Sequence, residues 1–188
     1  ESDSNKLNLF IQTKKRKIIP RSNNQKKYFK LLNEKNIIFA IGPAGTGKTF
    51  LAVRLIASMG RSTLVVVPTI DLMQQWYSVL NSSLQTSVGL LGGGYYDIQD
   101  ITVATYDSGH MHIENIGNLF AFLIFDECHH LPAEQYQRIA LSAIAPFRLG
   151  LSATVERADG KESVIYDLLG PLVYEGYVHD MIGSGLAD

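Results

Sequence analysis

The segment Gly42-Pro43-Ala44-Gly45-Thr46-Gly47-Lys48-Thr49 constrains this chain more than any other, because it satisfies G-x-x-x-x-G-K-[ST] at every fixed position. It follows an apolar run, Ile37 to Ile41, and opens a helical pattern that runs from Lys48 to Met59. That strand-to-helix setting is the one in which such a loop wraps an anion. Glycines let successive main-chain N–H groups converge without Cβ interference, and the helix N-terminus adds the positive end of its dipole. Gly42, Pro43, Ala44, Gly45, Thr46 and Gly47 are therefore expected to cradle nucleotide phosphates. Lys48 reaches the β- and γ-phosphates as a point charge, and the Thr49 hydroxyl ligates the metal. The cofactors this implies are ATP and Mg²⁺.

A loop of this kind sits at the edge of a parallel sheet, and the rest of the chain carries the matching alternation. Short runs rich in Ile, Val and Phe predict strands at 37–41, 64–67, 88–91, 101–104, 122–125, 148–151 and 172–174. Helical patterns fall between them at 25–32, 48–59, 70–80, 133–143 and 161–169. The fold class is α/β, a mostly parallel sheet with helices on both faces. With 188 residues and 46% hydrophobic content the chain has the core of one domain. The expected domain is 21–182, behind a basic, flexible leader at 1–20 and before a short flexible tail at 183–188. The longest apolar run, Leu119 to Phe125, falls far short of the ~20 residues of a membrane helix. No membrane partner is expected, and the reading places the chain in the cytoplasm, or at the nucleoid or nucleus if it works on DNA. The single cysteine, Cys128, reads as a small buried residue at a strand end.

A phosphate loop binds a nucleotide without saying what cleaves it. The second half comes from the run Phe122 to Phe125, which ends in Asp126-Glu127-Cys128-His129. Two carboxylates then lie at the C-terminal end of a buried strand, the edge at which open parallel sheets bind ligands. Neighbouring strand residues point opposite ways, which gives the two acids separate tasks. Asp126 is expected to hold Mg²⁺ through its water shell, and Glu127 to orient or deprotonate the attacking water. His129 and His130 adjoin each other without a third ligand, so no zinc site is assigned.

Charge is divided unevenly. Residues 1–35 carry a net +7 and residues 36–188 a net −8, so the overall −1 conceals two electrostatic halves. The basic run Lys14-Lys15-Arg16-Lys17 reads equally as a phosphate-contacting arm or as a solvated leader.

With both nucleotide motifs in place, the sequence resembles the first RecA-like motor domain of superfamily-2 helicases, and from about residue 60 it is most similar to the XPB branch. Pro68-Thr69-Ile70-Asp71-Leu72 through Gln75-Trp76 resembles motif Ia, and Thr105-Tyr106-Asp107-Ser108 resembles motif Ib. Asp126 to His129 resembles a DEAH-type motif II, and Ser152-Ala153-Thr154 resembles motif III. The resemblance implies a RecA-like P-loop NTPase domain that binds nucleic acid, DNA more than RNA. It implies nucleic-acid contacts from Pro68, Thr69, Thr105 and Tyr106, and coupling of the two sites by His129, Ser152 and Thr154. Trp76 shares helical spacing with Leu72 and Leu80 and reads as core rather than as a base-stacking platform.

Three departures qualify the resemblance. Residues 24–53, with their Gly-Pro-Ala-Gly wording, resemble PhoH-type ATPases, which implies a family junction near 51–60 and raises the possibility of a chimera. Gln25 stands where both families place an adenine-contacting glutamine, and reads equally as a solvent-facing helix residue. Ala158 in Arg157-Ala158-Asp159 replaces the middle acid of an Arg-Glu-Asp element. Lastly, the family uses a second RecA-like lobe with arginine fingers, and weak ATPase activity is expected for this chain alone. The function expected is that of an ATP-binding motor lobe of a DNA helicase or translocase. The alternatives are a PhoH-like ATPase acting on RNA and a non-catalytic, engineered P-loop module.

Overall fold

Strands made of Val, Ile, Leu and Phe on both faces need cover on both sides, and the chain supplies it by alternating them with amphipathic helices. The computed structural model describes residues 11–12, 17–18, 37–41, 48–84, 86–153, 160, 162–170 and 172–175, with 11–12, 17–18, 37–41 and 172–175 described as backbone only. The elements are β1 (Ile11–Gln12), β2 (Lys17–Ile18), β3 (Ile37–Ile41), α1 (Lys48–Met59), β4 (Thr63–Val67), α2 (Ile70–Leu84), β5 (Val88–Gly92) and β6 (Tyr95–Tyr96). They continue as β7 (Ile101–Thr105), α3 (Tyr106–Ile116), β8 (Phe122–Phe125), a 3₁₀ turn (Cys128–His130), α4 (Glu134–Ser142), β9 (Phe147–Ser152), α5 (Glu162–Leu169) and β10 (Leu172–Glu175).

Among the described residues, eight strands form one sheet in the order β10-β3-β9-β8-β4-β7-β5-β6. Its neighbours are parallel except for β5 and β6, which form an antiparallel hairpin through Gly93 and Gly94. Both turn glycines have positive φ, +59° and +89°, as a two-residue hairpin loop requires. Parallel pairing brings the C-terminal ends of β3, β9, β8, β4 and β7 to one edge. The register pairs Ile41 with Ser152, Phe125 with Gly150, Val66 with Phe125 and Val67 with Thr105.

Alternation along the strands divides the core in two. Leu64, Val66, Leu123 and Phe125 face α3, α4 and α5, where Ile113, Ile139 and Leu169 cover them. Val65, Val67, Ile124 and Leu151 face α1 and α2, where Ile56, Met73, Trp76 and Leu80 cover them. The expected arrangement of a mostly parallel sheet with helices on both faces is the one found.

Helix α3, the short strands β1, β2 and β6 and the 3₁₀ turn were not legible in the sequence. Helix α3 is weakly apolar and contains Gly109, a poor interior helix residue. Its glycine answers a packing need, since a Cβ there would lie 3.3 Å from Ile139 Cδ1 on α4. Strands β1 and β2 pair antiparallel, Ile11 with Ile18 and Gln12 with Lys17, within the stretch expected to be a flexible leader. Pairing through main-chain groups leaves little trace in two-residue strands, which explains why no pattern announced it. The expected helix at 25–32 and the tail at 183–188 lie outside the described residues.

Gly89 in β5 makes the closest approach of the fold. An added Cβ would stand 2.3 Å from the Asp97 carbonyl oxygen and 2.9 Å from the Gln99 nitrogen, both main-chain atoms that cannot swing aside. Gly89→Ala is expected to cost about 1–3 kcal/mol, read as a lower urea midpoint at unchanged m-value.

Candidate active site at the carboxyl edge of the sheet

The edge formed by β3, β9 and β8 gathers the chemistry. Lys48 opens α1 and is half-buried; burial lowers its ammonium pKa, while Glu127 and then Asp126 nearby raise it. The cation of the phosphate-loop motif and the acid pair at the end of β8 are thus within electrostatic reach of one another, as expected from the sequence. Thr49 follows on the same first helical turn and is partly exposed. Gly42, Pro43, Ala44, Gly45, Thr46 and Gly47 lie outside the described residues, as do Gln25 and Thr154.

Asp126 is only 6% exposed and is held at four points. Its Oδ2 accepts the Trp76 indole N–H at 2.7 Å, and its Oδ1 accepts the Glu127 main-chain N–H at 3.0 Å. Its own N–H donates to the Val66 carbonyl at 2.8 Å, and its carbonyl accepts the Tyr106 hydroxyl at 3.2 Å. Burial pushes the Asp126 carboxyl above the ordinary carboxylate range; the Trp76 bond opposes this, Glu127's charge adds to it, and the Glu127 N–H and Lys48 oppose it.

Glu127 has φ +48° and ψ +50°, the one non-glycine residue with positive φ among the described residues. That left-handed conformation costs on the order of 1 kcal/mol. It turns the chain sharply from β8 into the 3₁₀ turn and leaves the Glu127 carboxylate about one-third exposed. His129 Nδ1 lies 3.1 Å from Ser152 Oγ and 3.3 Å from Glu127 Oε2. One ring nitrogen therefore sits between the hydroxyl ending β9 and the carboxylate following β8, the juxtaposition expected for His129 and Ser152.

At the neighbouring strand ends the side chains divide differently from expectation. Thr69 is exposed and caps α2, its hydroxyl accepting the Leu72 N–H at 3.2 Å and its carbonyl the Met73 N–H at 3.0 Å. Pro68 beside it is partly exposed. Thr105 is 7% exposed and caps α3, accepting the Ser108 N–H at 3.3 Å. Tyr106 is 1% exposed, with its hydroxyl on the Asp126 carbonyl, so its side chain is not offered to a nucleic acid. A tyrosine after a buried strand turns inward when a carbonyl waits for its hydroxyl, and this corrects the motif-based expectation.

Trp76 is core, as its spacing implies, but its hydrogen bond to Asp126 was missed. The signal was present in principle. A buried indole needs an acceptor and a buried carboxylate needs a donor, and the tertiary structure decides that these two meet.

Among the described residues no group of three or more His, Cys, Asp or Glu is placed to hold a metal. A divalent cation at this edge fits one carboxylate, Asp126, together with phosphate oxygens, the way Mg²⁺ is usually held in nucleotide sites.

A domain model described as the res subunit of type III restriction enzymes matches residues 10–157. The chain belongs to this family. It is 46% identical over 156 residues to the DNA 3'-5' translocase XPB2 of Sulfurisphaera tokodaii, spanning 83% of this chain and 35% of that protein. It is 30% identical over 154 residues to the DNA 3'-5' helicase XPB of Mycobacterium tuberculosis, spanning 76% of this chain and 28% of that protein. The chain thus covers about a third of the length of these relatives and corresponds to an XPB-like first RecA-like domain. In fold it matches the helicase domain of Pyrococcus furiosus Hef with a TM-score of 0.66 at 20% identity, over 80% of this chain and 36% of that one. It matches the Sulfolobus solfataricus SWI2/SNF2 ATPase core in complex with dsDNA with a TM-score of 0.65 at 16% identity, over 80% and 36%. The family match crosses residues 51–60 without a break, and neither a PhoH-type origin for 24–53 nor a chimera finds support in these comparisons.

Two buried acids beneath the site set its response to alkali. Burial raises the Cys128 thiol well above its ordinary 9.0, with Asp126 and Glu127 adding to the shift. Burial likewise raises the Tyr106 hydroxyl well above 10.0, with Cys128, Asp126, Glu127 and Tyr136 adding to it. Both protons are held more tightly in the folded chain than in the unfolded one. Their contribution to stability is complete below the unfolded values and is lost as pH rises through them toward the folded ones. Loss of their contribution should lower urea midpoints as pH rises beyond about 8.5, and Cys128→Ala should remove the earlier part of that fall relative to the parent.

Proposed function

We propose that this chain is the ATP-binding lobe of a DNA translocase or helicase, in which Mg²⁺-ATP binds between the Lys48 loop and the Asp126–Glu127 pair. The observation that carries the reading is the convergence of Lys48, Asp126 and Glu127 at one sheet edge, with His129 bridging Glu127 to Ser152. The names of its relatives, a DNA 3'-5' translocase and a DNA 3'-5' helicase, support DNA as the polymer.

In this reading Lys48 neutralises the β- and γ-phosphate oxygens, and Thr49 and Asp126 hold Mg²⁺, which supplies charge neutralisation along the phosphates. Glu127 aligns water for attack on the γ-phosphorus. Its carboxylate lies against His129 while that of the buried Asp126 is held by Trp76, so the two acids have separate partners. His129 holds the Glu127 carboxylate and is itself held by Ser152 at the end of β9, a chain of contacts suited to transmit its position to the strand ends that meet nucleic acid. Thr69 with Pro68, exposed at the N-terminus of α2, and the main chain around Thr105 are the contacts proposed for the DNA backbone. Such contacts read no base sequence. A second RecA-like lobe would add the cation that completes the transition state.

Titration with mant-ATP in Mg²⁺ should saturate, and Lys48→Ala should weaken it by at least about tenfold. Glu127→Gln should bind mant-ATP within about threefold of the parent while losing at least about a hundredfold in hydrolysis. Without a second lobe the parent chain should hydrolyse slowly, since an arginine finger is worth ~10³–10⁵ in rate. Saturable binding that is indifferent to Lys48 would remove the reading. DNA-insensitive but RNA-stimulated hydrolysis would replace the polymer.

A further inference from the structure

We propose that Trp76 is a positioning residue for the Asp126 carboxylate, holding it in the orientation that receives Mg²⁺ and tying it to the helix that begins at the nucleic-acid edge. The proposal rests on the reading of Asp126 as the metal-side acid. Three observations carry it. The indole N–H reaches Oδ2 at 2.7 Å across 50 residues of sequence, in a site where Trp76 is 1% and Asp126 6% exposed. At such depth a buried acceptor oxygen left without a donor is costly, and the indole N–H both satisfies and orients it. Trp76 lies on α2, the helix whose exposed N-cap is Thr69, so a displacement of that helix is felt directly at the carboxylate. From the opposite face of the sheet Tyr106, the first residue of α3, fixes the Asp126 carbonyl. The residue at the end of β8 is thereby gripped from both layers of helices, by side chain on one side and by main chain on the other. Packing alone does not explain an indole so placed, because a phenyl ring would fill most of the same space without the bond.

Trp76→Phe keeps an aromatic side chain in the core and deletes the donor. In the whole chain, mant-ATP is titrated with MgCl₂ and, separately, in EDTA. The Mg²⁺ concentration for half-maximal effect should rise by about tenfold to a hundredfold in the variant, with affinity in EDTA kept within about twofold. A folded Trp76→Phe chain with the parent's Mg²⁺ dependence overturns the proposal. A purely structural role would instead lower both affinities together, and that result overturns it as well. Trp76 is the single tryptophan, so its indole N–H gives one resonance in a ¹H–¹⁵N spectrum of the parent chain. Should Trp76→Phe fail to fold, that resonance decides: a shift with Mg²⁺-ATP that ATP in EDTA does not produce supports the proposal, and no such shift overturns it. Asp126→Asn separates the two levels. If it leaves the Mg²⁺ dependence of the parent intact, the assignment of Asp126 to the metal fails and the proposal falls with it. If it abolishes that dependence while Trp76→Phe does not alter it, only the proposal fails.

Discussion

A carboxyl group almost out of reach of water is stable only if fixed partners replace the solvent, and the arrangement at this sheet edge follows from how Asp126 meets that requirement. Its oxygens take one N–H from a tryptophan and one from the next residue, and Lys48 stands within electrostatic range. Trp76 and Lys48 come from distant parts of the chain. The sheet has to form in its observed order before Trp76 and Lys48 are available to the acid, whereas the Glu127 N–H is supplied locally.

The order of the strands explains why motifs distant in sequence act together. β9 lies between β3 and β8, so the phosphate-loop strand and the acidic strand are joined through the strand that ends in Ser152. The same insertion places Ser152 within 3.1 Å of His129, which in turn is 3.3 Å from Glu127. A rigid parallel ladder sets these distances. The only left-handed non-glycine residue among those described, Glu127, sits where the chain leaves that ladder.

Much of the fold was legible because buried parallel strands must be apolar on both faces. Runs such as Ile37–Ile41 and Phe122–Phe125 were recovered with their bounds intact. Others, such as β4 and β7, proved longer by a threonine at one end, since a hydroxyl satisfied locally does not interrupt a strand. Helix α3 was not legible. Its hydrophobic face is short, and Gly109 packs closely against Ile139, a contact that belongs to another helix. In the site, the pairing of Lys48 with Asp126 and Glu127 was legible because each motif carries its own local chemistry. The inward turn of Tyr106 and the use of Thr105 as a cap were not, because their motif specifies residue types and leaves their direction to packing.

The sequence by itself determined that a phosphate loop opens a helix, that an acid pair ends a buried strand, and that the chain resembles the motor lobe of superfamily-2 helicases. These follow from spacing and local chemistry, which a linear chain retains. Only the tertiary structure decided which groups meet: that Trp76 spends its N–H on Asp126, that His129 stands between Ser152 and Glu127, and that Tyr106 closes from the far side of the sheet. The reason is physical. A buried polar group must find a partner, and which partner lies within reach depends on strand order and register, which are settled only when the whole sheet assembles.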